Sequence, residues 1–114
     1  GFVQGQGWLT MEEVIWGDDG KIKTFSPSTY KIPAVTDIPK IFNVEIYKKG
    51  INVEKVVNKA KTTGEPPLML AMSVFFAIKD AIASISNYQK IPDLDAPATP
   101  EKILLSINKL KNII

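Results

Sequence analysis

Neither cysteine nor histidine occurs anywhere in these 114 residues. Their absence removes disulfides, thiolate nucleophiles, iron–sulfur ligation and the usual zinc sites from the chemistry this chain can perform with its own side chains. Charge of one sign is lacking too: 14 basic and 12 acidic residues leave a formal net charge of +2, spread along the chain. No basic stripe marks a nucleic-acid surface and no acidic tail is present. The longest apolar run, Leu68 to Ile78, is broken only by Ser73. It falls short of the roughly 20 apolar residues that span a bilayer and reads as a buried core helix, so no membrane partner is expected. No basic, apolar and small-residue succession of the secretory type opens the chain, and the expected location is cytoplasmic.

What is present suits a folded polypeptide, with 45% hydrophobic residues and a mean hydropathy of +0.02. The expectation is a single domain over residues 1–114 with a modest core. The chain opens on Gly-Phe-Val rather than methionine and is read as part of a longer polypeptide.

The most informative stretch is Gly64-Glu65-Pro66-Pro67, which leads directly into the apolar run. Proline holds φ near the helical value and lacks the N–H that a first turn leaves unpaired, so Pro66 marks a helix start, with the helix expected to reach about Asn87. Glu65 then lies at the positive end of the helix dipole, with its backbone expected to be extended because a proline follows. A carboxylate held this way suits a general base, and equally a helix-start acid that only stabilises the helix.

Elsewhere Gly5-Gln6-Gly7 resembles a glycine turn ahead of a short helix carrying Trp8, Leu9, Met11 and Ile15, spaced by three and four. Asp18-Asp19-Gly20 predicts a β-hairpin between Val14–Trp16 and Lys21–Phe25. Phe42, Val44 and Ile46 alternate with polar neighbours at the period of a half-buried strand. The segment from Ile51 to Lys59 suits a strand or a short helix. Thr99-Pro100-Glu101 predicts a second helix start, followed by a stripe of Ile103, Ile107, Leu110 and Ile114. The fold class expected is α+β: a small antiparallel sheet or hairpins, a long buried helix and a C-terminal amphipathic helix.

Four blocks in order now carry a resemblance: Gly1-Phe2-Val3-Gln4-Gly5-Gln6-Gly7, Pro27-Ser28-Thr29-Tyr30-Lys31-Ile32-Pro33, Lys61-Thr62-Thr63-Gly64-Glu65-Pro66-Pro67-Leu68 running on through Phe75-Phe76-Ala77-Ile78-Lys79-Asp80-Ala81-Ile82, and Ala96-Pro97-Ala98-Thr99-Pro100-Glu101-Lys102-Ile103. Together they cover nearly the whole chain, which resembles the C-terminal part of the molybdenum-binding subunit of the xanthine dehydrogenase and aldehyde oxidase family. The resemblance implies an oxidoreductase that hydroxylates purines or aldehydes with water as oxygen source, using a molybdopterin cofactor. It casts Glu65 as the base, Gly64 as a point of close backbone approach to the cofactor, and Gln4 as a cofactor neighbour, although Gln4 also suits simple packing at a glycine turn. No side chain here is expected to ligate the metal. Iron–sulfur clusters and FAD would lie on other segments or subunits, and the expected partners are the rest of the molybdenum-binding subunit, those redox modules, a small-molecule substrate and a second copy of the chain. Alone, the chain is expected to be inactive. The competing reading is a non-catalytic binding or assembly module. Lys61 is a solvated lysine or a charge near the site, Tyr30 and Lys31 suit an interface, and Met69, Met72, Phe75 and Phe76 suit core packing.

Overall fold

The computed structural model describes residues 1–62 and 64–112. Thr63 of the Lys61–Leu68 block and Ile114 of the C-terminal stripe lie outside them. Three helices make the framework: α1 (Phe2–Thr10), α2 (Pro66–Ser84) and α3 (Pro100–Leu110), with short 3-10 turns at Val35–Asp37 and Val57–Lys59. α2 lies centrally, packing mainly on α1 and more sparingly on α3.

Each helix has a distinct cause. α2 begins at Pro66 and Pro67 as predicted and ends at Ser84, three residues before the expected Asn87. Asn87 (φ 50°) and Tyr88 (φ 60°) enter the left-handed region there, and Tyr88 N–H turns back to the Ala83 carbonyl at 3.1 Å. α3 begins as its sequence requires. Thr99 is the N-cap, its Oγ1 accepting from Lys102 N–H at 3.4 Å, and Pro100 opens the first turn. The Lys90 ammonium donates to the Leu110 carbonyl at 3.0 Å, placing a cation at the negative end of α3. The stripe on α3 closes a core of Ile82, Leu94, Ala98 and Leu110, against which Phe75, Ile78, Ile103 and Ile107 pack.

α1 corrects the sequence reading. The glycine block is helix, not turn, and the helix stops at Thr10. Two glycines inside nine residues should cost about 2 kcal/mol of helix propensity relative to alanine, so tertiary contact rather than local preference must hold α1 in place. Gly5 and Gly7 are its buried residues.

The expected α+β class is overturned as well. No strand or sheet exists among the described residues; the hairpin reduces to one antiparallel bridge between Trp16 and Ile22. Gly17 N–H donates to the Lys21 carbonyl and Lys23 N–H to the Ile15 carbonyl, both at 2.7 Å, around a turn with Gly20 at φ +73°. The turn chemistry was legible, but Val14 and Trp16 are 57% and 62% exposed, and two strands without a covered face are marginal. Over residues 42–46 the strand period is present but no partner strand: Ile46 is 87% exposed. The 51–59 segment resolves into the Val57–Lys59 turn.

The expected long buried helix is also corrected. Of α2 only Pro67, Ala71 and Ile82 are buried, because only one stripe meets α1 and α3. Leu68, Met69, Leu70, Met72 and Phe76 are exposed, so Met69, Met72 and Phe76 are not core residues of this chain. By length and composition alone this 19-residue helix, with a mean hydropathy of 1.5 over an 18-residue window, could cross a membrane, a test that core helices of soluble proteins also pass. The molecule is extended: its radius of gyration is 18.1 Å, against about 13 Å for a compact domain of this length. Its accessible surface of 9193 Å² exceeds the about 6,200 Å² expected for a self-contained protein of its mass.

Thr99→Ala removes the α3 cap and lowers unfolding free energy by about 1 kcal/mol, while Ile82→Ala opens the core and lowers it by about 2–4 kcal/mol, both read by urea titration. The Ala34 backbone N–H, donating to Asp37 Oδ2 at 2.7 Å, holds the Asp37 carboxyl below its ordinary value of 3.8, assisted by Lys31 at 3.1 Å. A depressed folded-state value stabilises the protein above pH 3.8, and that contribution disappears as pH falls through the folded value. Asp37→Asn therefore makes stability less dependent on pH over this acid range, measured by unfolding at fixed urea.

Candidate functional site at the start of α2

Glu65 stands immediately before α2, at the N-cap. Its backbone is helical (φ −82°, ψ −33°) rather than extended, so continuation of the chain into α2 has overridden the usual pre-proline preference. Its carbonyl accepts the Leu68 N–H at 3.2 Å. The side chain makes no capping bond to the helix, and among the described residues no cation lies within ion-pair distance of it. The carboxylate is exposed. A carboxylate neither capping nor paired keeps all its acceptor capacity for an incoming group.

Gly64 is open on the side where a Cβ would project, with nothing within 4 Å. Close approach at Gly64 would therefore come from a group outside this chain. Gln4 lies in α1, exposed, and its amide has no hydrogen-bond partner among the described residues. α1 and α2 meet at their beginnings: a Cβ on Gly1 would sit 3.5 Å from Pro67 Cγ, and one on Gly5 would fall 2.6 Å from the Pro67 carbonyl carbon. The helices that carry Gln4 and Glu65 are thus joined at the second residue of α2. Lys61 is exposed, in the segment leading to Glu65.

At the other end of α1, Tyr30 Oη donates to Glu12 Oε2 at 2.7 Å, pinning the proline-rich loop to the helix exit; this bond pushes the phenol above its ordinary value. Lys31 pairs with Asp37 at 3.1 Å. Gln6, which sequence reasoning passed over, donates from Nε2 to the Asp37 carbonyl at 2.8 Å while its Oε1 is buried without a partner. Gly5 was missed in the same way. The available signal was Gly1 and Gly5 at i and i+4, a spacing that puts two side-chain-free positions on one helical face. A cleft of about 590 Å³ is lined by Gln6, Thr10, Lys31 and Thr99 among others, and Glu65 is not part of its lining. Among the described residues no cluster of three or more Asp or Glu side chains could hold a metal ion.

A cofactor approached by an amide and a carboxylate, and held mostly by other polypeptide, is compatible with this corner. Residues 1–39, which include Gln4, match a family model described as a molybdopterin cofactor-binding domain. That is the class of protein to which this segment belongs. Over 93% of its length the chain is 44% identical to a xanthine dehydrogenase from Oryza sativa subsp. japonica. Over 90% it is 48% identical to a xanthine dehydrogenase/oxidase from Mus musculus, and over 92% it is 43% identical to xanthine dehydrogenase 1 from Arabidopsis thaliana. The chain belongs to the xanthine dehydrogenase family, as a segment of the molybdenum-binding subunit, and spans about 8% of the length of the curated relatives it matches.

Because Glu65 caps nothing, Glu65→Gln changes unfolding free energy by no more than about 0.5 kcal/mol, as for an ordinary surface substitution; thermal unfolding of the two proteins side by side checks this.

Proposed function

We propose that this chain is one wall of the active site of a molybdenum hydroxylase that oxidises purines or aldehydes, and that Glu65 is its general base. The observation that carries the proposal is the Glu65 carboxylate itself, exposed at the start of α2 and engaged by neither cap nor cation. When bound, a molybdenum–pterin cofactor supplies two-electron oxidation and an oxygen nucleophile drawn from water. Glu65 receives the proton released as that oxygen becomes nucleophilic, and one carboxylate oxygen suffices for the transfer. Gln4, whose amide both donates and accepts, holds the cofactor's polar edge. Gly64 leaves room for it to approach the backbone.

Further polypeptide of the same subunit covers the exposed apolar flank of α2 at Leu68, Met69, Leu70 and Met72. The surface in excess of a self-contained domain supports this reading. Iron–sulfur and flavin modules on other segments take the electrons onward, in a cytoplasmic enzyme, and the isolated chain is inactive. A purely structural Glu65, as an assembly module would require, draws no support from its geometry, since the side chain bonds to no helix N–H.

In the complete cofactor-loaded enzyme, Glu65→Gln lowers the rate of substrate oxidation by about 10²–10⁴-fold, the usual contribution of a general base, with molybdenum content unchanged. Turnover of hypoxanthine and of an aromatic aldehyde, measured beside metal content, reads the result and separates the two substrate classes.

A further inference from the structure

At Gly5 the seam between α1 and α2 has no side chain on the α1 side. A Cβ on Gly5 would clash with the Pro67 carbonyl oxygen and lie 2.6 Å from the Pro67 carbonyl carbon and 2.8 Å from the Ala71 Cβ. Two of these three atoms belong to backbone, which cannot swing aside as the end of a flexible side chain can. Ala71 is fully buried at this seam. Pro67 is two residues from Glu65, and the Leu68 N–H to Glu65 carbonyl bond ties that residue to the same turn.

We infer that Gly5 is a positioning residue for Glu65: by letting α1 touch the Pro67 carbonyl, it sets where the first turn of α2, and therefore the carboxylate, stands relative to the helix carrying Gln4. Any larger residue at position 5 displaces that turn. The consequence is a misplaced carboxylate, and displacement of a reacting group by about 1 Å can cost about 10²-fold in rate. This inference rests on the proposed role of Glu65.

Gly7 provides the internal control. It is also a buried glycine of α1, but a Cβ there would meet the Glu12 carboxylate and Pro33 Cδ at 2.6 Å, not α2. In the complete enzyme, Gly5→Ala and Gly7→Ala both lower thermal stability. Only Gly5→Ala lowers kcat for substrate oxidation by about 10²-fold with KM and molybdenum content retained, and only it speeds hydrogen exchange of the Leu68 amide. In the Glu65→Gln background Gly5→Ala has little left to remove, so its further loss is under about threefold, as for residues acting through one another. If Gly5→Ala does not accumulate as loaded protein, the milder Ala71→Ser tests the same seam, with an expected fall of about tenfold in kcat.

A Gly5→Ala enzyme that behaves like Gly7→Ala, or whose loss adds in full to that of Glu65→Gln, would overturn the inference alone. An undiminished rate for Glu65→Gln would overturn the base and the positioning role together.

Discussion

The approach of α1 to the first turn of α2 depends on the bare backbone of α1 at Gly5, which lies against the Pro67 carbonyl and Ala71 of α2. It brings together two parts of the chain separated by a long, irregular excursion. The helix it supports is poor in intrinsic propensity, since glycine loses more backbone entropy on becoming helical than any other residue. The same lack of side chain that weakens the helix allows its axis to approach α2 this closely. Ordinary residues would gain local stability and lose the approach.

The far end of α2 is organised differently. Ile82 packs with Leu94, Ala98 and Leu110, a small conventional core sealed by the Thr99 cap and the Lys90 contact to the end of α3. α2 therefore runs from an open corner at Glu65 to a closed apolar one at Ile82. A helix of this kind transmits position: whatever holds its packed end and its α1 seam holds the backbone at its tip. Between these anchors much of its surface is apolar and uncovered. In water an exposed face of that size is costly at about 25 cal/mol per Å², which accords with the chain covering only about 8% of its relatives' length.

The segment from Gly17 to Ala60 is held mainly by local turns. Asp37 gathers Ala34, Lys31 and Gln6 through short polar contacts, and the Phe2 and Phe42 rings meet at 5.5 Å. Beyond Phe42 the chain runs exposed past Val44 and Ile46 to Tyr47. An alternating apolar pattern describes which side chains would share a face; it does not create the second surface that the face would bury.

Local physics was sufficient at positions where the controlling atoms are neighbours in sequence. The starts of α2 and α3 follow from locked proline φ angles and from the Thr99 hydroxyl, and the absence of histidine and cysteine already removed the usual metal ligands. The four ordered blocks were enough to indicate the family, and Glu65 was singled out by its place ahead of two prolines. Tertiary structure decided the rest. It turned the glycine block from a turn into a helix because Pro67 and Ala71 lie against it, and left a bridge in place of a sheet because no covered face supports the strands. It set Glu65 in a helical conformation despite the following proline. It also left α2 largely exposed, because hydrophobicity specifies that a surface favours burial, whereas only the arrangement of other chain segments determines whether anything is there to bury it.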